Sequence, residues 1–177
     1  RSGAQVGDDL YVSGHLGDAR LALEAFRGNV SLPQPVFDLT RRRMESPTPR
    51  LALGQALRGI AHAMADISDG LLGDLGHILK DSHVGAEIDT PAVCGLMLSG
   101  QLWTCPPDLA LTCVLSGGDD YELVFSASPL VAKKVQEAAI ASSTPITRIG
   151  RITETHRLLL LSADGQPLTT SFQSFDH

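Results

Sequence analysis

The sequence predicts an α/β fold with a mixed sheet, and three observations carry that prediction. Short strand-like runs alternate with helical stretches along most of the 177 residues. The helical stretches repeat apolar residues three and four apart, as at Leu71, Leu75, Ile78 and Leu79. Near the end, Asp164-Gly165 marks a tight turn and hence a hairpin, which adds antiparallel pairing to strand–helix units.

Element by element, Asp9 to Val12 reads as a short strand. Leu16-Gly17-Asp18 then turns into a helix with Leu21, Ala22, Ala25 and Phe26 on its apolar side, ending near Gly28. A loop holds Pro33 and Pro35, and Phe37 to Met44 looks helical. Ser46-Pro47-Thr48-Pro49 restarts a helix with Thr48 as N-cap and Pro49 at its first position, and Leu53, Leu57, Ile60 and Met64 would form its buried face. Ala63 to Ile67 passes into a strand that breaks at Gly70, and the next helix ends about Lys80 to His83. Val84 to Ile88 is a strand. Pro91 to Pro107, with Gly95, Gly100, Trp103 and a Cys-Pro-Pro sequence, is the least regular stretch and predicts short helical turns. Leu109 to Leu115 is a continuous apolar run. Tyr121 to Ser126 alternates like a strand, Leu130 to Ala141 is helical through Val131, Val135 and Ala139, and Ile146 to Ile152 and Leu158 to Leu161 are strands.

Composition narrows the class of function. Apolar content of 43% with 19% charged residues suits a soluble globular chain large enough to bury a core, and 5% aromatic content makes that core aliphatic. A formal net charge of −6 argues against broad nucleic-acid binding. Arg41, Arg42 and Arg43 read as a solvated helix face. Cys94, Cys105 and Cys113 are odd in number and lack zinc-site spacing, so they read as reduced, semi-buried thiols. No run approaches the length needed to span a bilayer, and no signal segment opens the chain; a cytoplasmic location is the expectation. The start at Arg1, without an initiator methionine, suggests a fragment or processed product.

Two acidic stretches could carry chemistry. Asp66-Ile67-Ser68-Asp69-Gly70-Leu71 sets two carboxylates three apart where a strand enters a helix. Exposed N–H groups at a helix start suit oxyanions, and aspartates beside an anion call for a hard cation such as Mg²⁺. The same residues could instead cap the helix, with Ser68 or Asp69 as N-cap and Asp66 a solvated strand end. The second stretch, Gly117-Gly118-Asp119-Asp120-Tyr121-Glu122, allows close approach to a ligand and could hold a cation, or could be a solvated turn. Phosphate-binding glycine loops of the P-loop and dinucleotide types are absent, as are paired histidine spacings. Ser68 and Ser116 have no triad-like context, so hydrolase readings are weak.

Taken in order, the motifs resemble the thiamine-monophosphate kinase family. Asp66 to Leu71, Gly73 to Leu79 and Ser116 to Leu123 carry the resemblance. So do Arg1 to Ala4, Gly7 to Gly14, Leu53 to Leu57 and Ser174 to His177, over nearly the whole chain. The resemblance implies the mixed-sheet α/β sandwich of the C-terminal domain in the aminoimidazole ribonucleotide synthetase-like superfamily. Residues 1–177 would be a single such domain, with the N-terminal domain absent. It implies transfer of the γ-phosphoryl of ATP to thiamine monophosphate, giving thiamine diphosphate. By motif, Asp66 and Asp69 would be magnesium ligands, and Arg1 and Ser68 ATP contacts. Asp119, where the family usually has glutamate, and Phe175 would contact substrate. No general base is assigned, because a phosphate nucleophile is already ionised. The implied partners are ATP with Mg²⁺, thiamine monophosphate, the missing N-terminal domain, and a second copy in a homodimer of the complete enzyme; neither nucleic acid nor membrane is among them. The isolated domain is expected to be inactive. The alternatives are another ATP-using member of the superfamily, selenophosphate or aminoimidazole ribonucleotide synthetase-like, or a non-catalytic folded domain.

Overall fold

The computed structural model describes residues 1–168. Six strands form one sheet in the order β2-β4-β1-β5-β3-β6, where β1 is Asp9–Ser13, β2 Ala63–Asp66, β3 Gly85–Asp89, β4 Leu123–Ala127, β5 Ile146–Thr153 and β6 Leu158–Leu161. Every neighbouring pair is antiparallel except β3 with β6, which is parallel, so the sheet is mixed as the sequence predicts. Asp164-Gly165 does close a small hairpin, with Leu161 bridging Pro167 and Ser162 N–H donating to Gln166 O.

Strand alternation sorts the core into two layers. Leu10 and Val12 of β1, Ala65 of β2 and Val124 of β4 face helices α1 (Asp18–Phe26), α4 (Leu71–Ser82), α5 (Thr90–Cys94) and α6 (Pro107–Ser116). Tyr11 and Phe125 point the other way. They stack at 5.2 Å and bury Leu53 of α3 (Leu51–Ala56), Leu57, and Val135 and Ala138 of α7 (Ala132–Ala141). Helix α2 (Gln34–Glu45) packs on α1, with Phe37 edge-on to Phe26 at 5.2 Å. The large buried side chains are mostly aliphatic, as composition predicts.

Two expectations need correction, and one unassigned run finds its element. The helix predicted from Thr48 to Met64 is only Leu51–Ala56, its N-cap is Arg50, and Met64 lies on β2. Gly59 takes a positive φ of 72°, which turns the chain, and His62 N–H then donates to Ser126 O at 2.8 Å to start the strand. Pro35 belongs to the first turn of α2, where its fixed φ is compatible with a helix. The apolar run Leu109 to Leu115 is helix α6, with Ala110, Cys113, Val114 and Leu115 buried. Pro91 to Pro107 does hold short turns, α5 and a 3-10 turn at Leu98–Gln101.

The thiols are free, and Cys94 is exposed, Cys105 half-buried and Cys113 buried. Burial pushes Cys105 up to about 11 and Cys113 up to about 12, so both stay as unreactive thiols near neutral pH. Among the described residues, no helix is long and apolar enough to cross a membrane.

Candidate functional site

The two acidic stretches are neighbours in space, because β2 pairs with β4 and each stretch lies at the adjoining end of its strand. Backbone hydrogen bonds zip them together: Ile67 N–H to Glu122 O at 2.8 Å, Tyr121 N–H to Ile67 O at 3.0 Å and Asp119 N–H to Ser68 O at 3.0 Å. The contact is tight enough to require glycine. A Cβ on Gly118 would fall on the Ser68 carbonyl oxygen, and one on Gly117 on the Cys113 carbonyl oxygen. Asp119 and Tyr121 hold positive φ of 64° and 51°, so the turn carries backbone strain.

That conformation divides the second stretch by direction. Asp119 and Tyr121 face outward, while Asp120 and Glu122 are buried, so a wholly solvated turn does not describe it. Glu122 Oε2 accepts from Arg50 Nε at 2.7 Å and Ser13 Oγ at 2.6 Å. Its Oε1 accepts from Arg50 Nη2 at 2.6 Å and Arg43 Nη2 at 3.3 Å. Burial opposes its charge, but hydrogen bonds from Arg50 and Ser13 and the charges of Arg50 and Arg43 outweigh that and hold Glu122 below its ordinary value. Arg43 is therefore not part of a solvated face; its Nη2 also donates to His15 O at 2.7 Å. Asp120 accepts from Gly17 N–H at 2.9 Å at the start of α1. Burial pushes it up to about 7, with the neighbouring Asp18 adding to the rise and the Gly17 N–H and Arg43 opposing it.

The first stretch is organised by a residue that the sequence did not single out. Asp74, buried in the first turns of α4, accepts from Ser68 N–H at 2.9 Å and Asp69 N–H at 3.1 Å. The N-cap of α4 is Gly70 with φ 111°, and no side chain caps the helix, so neither Ser68 nor Asp69 is the cap. Asp66 is exposed and forms no hydrogen bond or ion pair in the described structure. Because its N–H is held by Asp74 and its carbonyl by the Asp119 N–H, Ser68 offers a ligand its hydroxyl.

Four of the six predicted site residues thus come together, on two sides of the joined loops. Ser68, Asp69 and Asp119 line a pocket with Ala19, Arg20, Leu23 and Met44. Asp66 lines a groove with Arg50, Leu51, Arg58, Met64 and Tyr121. Arg1 is placed elsewhere. The residues after it are held at the far end of α4, where Gly3 N–H and Ala4 N–H both donate to Ser82 Oγ at 3.2 Å, about 18 Å of helix from the loop. Phe175 lies outside the described residues. Among those residues no three His, Cys, Asp or Glu side chains group as a metal centre. The carboxylates of Asp66 and Asp69 are the donor type a hard cation takes, since such an ion binds one or two carboxylates and completes its shell with water and phosphate oxygens.

Known proteins show the same fold. Residues 5–160 match the family described as AIR synthase related protein, C-terminal domain. Thiamine-monophosphate kinase of Escherichia coli K12 is 38% identical over 179 residues, covering all of this chain and 54% of that protein. The crystal structure of thiamine-monophosphate kinase from Stenotrophomonas maltophilia K279a is 39% identical with a TM-score of 0.82, covering 94% of this chain and 53% of that one. A structure described as AaThiL complexed with AMPPCP and TMP is 27% identical with a TM-score of 0.70, covering 98% of this chain and 52% of that one. The chain spans about half the length of the curated relatives it matches. On fold and family match together, this chain belongs to the AIR synthase related proteins and carries their C-terminal domain.

Proposed function

We propose that this chain is the C-terminal domain of an ATP-dependent thiamine-monophosphate kinase and supplies half of its active site. The observation that carries the reading is the joining of the two acidic loops. It sets Asp66, Ser68, Asp69 and Asp119 around one ridge, in a chain 38% identical to a thiamine-monophosphate kinase. The AaThiL complex, with AMPPCP and TMP bound to a protein of the same fold, supports the same substrates here.

Phosphoryl transfer between two phosphorylated molecules is governed by positioning and charge neutralisation. Bound magnesium would supply that neutralisation, and Asp66 and Asp69 offer its oxygen ligands from the two sides of the ridge. The Ser68 hydroxyl donates to a phosphate oxygen, and the uncapped start of α4 adds partial positive charge beside it. Asp119 faces the substrate from the pocket rim, one methylene shorter than glutamate. Arg1 would reach nucleotide only together with parts of the protein beyond this domain, and Phe175 would stack on the thiamine rings. The remaining ligands come from an N-terminal domain, the complete enzyme is a cytoplasmic homodimer, and this domain alone does not turn over.

The test is formation of thiamine diphosphate by the complete protein from ATP, Mg²⁺ and thiamine monophosphate. No product, with turnover of another superfamily substrate, would contradict the reading. Within that assay Asp66→Asn is a clean probe, because the Asp66 carboxylate is exposed and forms no hydrogen bond or ion pair among the described residues. Turnover should fall by roughly tenfold or more and the magnesium requirement should rise, with the unfolding midpoint unchanged. Unaltered magnesium dependence would leave Asp66 as a plain strand end.

A further inference from the structure

Glu122 and Arg50 are 72 residues apart in sequence, yet they form the shortest charged pair beside the joined loops, at 2.6 and 2.7 Å. We propose that Arg50 contacts a substrate phosphate from the wall of the Asp66 groove, and that Glu122 is the positioning residue that aims it. The inference rests on the kinase reading and assigns it a cation.

The geometry separates aiming from simple pairing. Both Glu122 oxygens engage one guanidinium edge, through Nε and Nη2, and this two-point grip fixes the plane of the group. Glu122 is itself immobilised. Its side chain is 1% exposed, Ser13 Oγ donates to it, and a Cβ on Gly14 would collide with its carboxylate. Ser13 Oγ in turn accepts from Leu123 N–H at 2.8 Å, and the Glu122 carbonyl takes the Ile67 N–H, so the carboxylate is tied to both loops.

The opposite edge of Arg50 is left for a ligand. Among the described residues Nη1 has no partner, and it is not among the buried polar atoms that lack one, so it reaches the surface. That surface is the groove shared with Asp66, Tyr121 and Arg58. Among the described residues Arg50 has no acidic partner but Glu122, which it shares with Arg43, and its charge is only partly answered. Arg58 is exposed in the same groove and has no ion-pair partner among the described residues, which adds positive potential where an anion would enter. A guanidinium held by one edge and open at the other presents parallel N–H donors suited to phosphate oxygens.

The phosphate could belong to nucleotide or to thiamine monophosphate, and calorimetric titration of the complete protein separates them. Magnesium–AMPPCP and thiamine monophosphate would be titrated into wild type, Arg50→Lys and Glu122→Gln, with unfolding midpoints measured alongside. Lysine keeps the charge but loses the fork. Both variants should weaken the same one ligand by about tenfold or more and leave the other within about twofold. A merely structural ion pair would lower the midpoint and leave both affinities as in wild type, or weaken both together, and either result overturns the proposal. If wild type binds neither ligand, the kinase reading falls and this inference with it; if wild type binds both and the variants match it, only this inference falls.

Discussion

Replacing Gly118 with alanine should destabilise the protein by about 3 kcal/mol and open the site at once. The new Cβ would land on the Ser68 carbonyl oxygen, and because that neighbour is backbone, no rotamer change can relieve the overlap. The loops must move apart. Separation breaks the Asp119 N–H to Ser68 O bond and withdraws Asp119 from the pocket that it shares with Ser68 and Asp69. For a chain of this size the unfolding midpoint should drop by roughly 6 to 12 °C. A midpoint within a degree of wild type would show that the loops are not packed as described.

Asp74→Ala should cost a comparable amount, about 2 to 4 kcal/mol, by a different route. Its buried carboxylate is the acceptor for the Ser68 and Asp69 N–H groups, and alanine leaves both donors without it beside an uncapped helix start. Hydrogen exchange distinguishes this local effect from general loosening. The amides of Ser68 and Asp69 should lose protection far more than those of β1 in the middle of the sheet. Equal loss across the sheet would argue that Asp74 supports the core instead of the loop. Asp74→Asn keeps one acceptor oxygen and should be milder.

The parts of this site that were legible in the sequence are those set by local pattern. Asp66 to Leu71 announces a strand entering a helix, and Gly117-Gly118 announces a close backbone approach, because both signals lie within a few residues. What the second loop does with its carboxylates was not legible. Asp120 finds Gly17 across 103 residues, and Glu122 finds Arg43 across 79, so burial and partner depend on the sheet order. The same limit explains the Arg41–Arg43 run, where only the third arginine turns inward. Asp74 left a weaker local signal, an acid in the early turns of a helix able to reach back to preceding N–H groups.

Fold errors follow a similar division. The spacing of Leu53, Leu57, Ile60 and Met64 fits a helix, yet Gly59 breaks it and pairing with β4 claims Met64 for β2. Tertiary pairing outweighed local periodicity there. Helix α6 gave no amphipathic stripe because it is largely apolar all round, although Pro107 at its first turn and its ten-residue length favour a helix over a strand.

The central claim is that the joined loops display Asp66 and Asp69 as the metal-binding half of a phosphoryl-transfer site. Its most direct test is a crystal structure of the complete protein with AMPPCP and thiamine monophosphate, using Mn²⁺ in place of Mg²⁺ and locating it by anomalous scattering. Manganese peaks are expected within about 2.0 to 2.3 Å of carboxylate oxygens of Asp66 and Asp69, with phosphate oxygens completing the shell. Manganese bound only to residues outside this domain, with Asp66 and Asp69 turned to solvent, would contradict it.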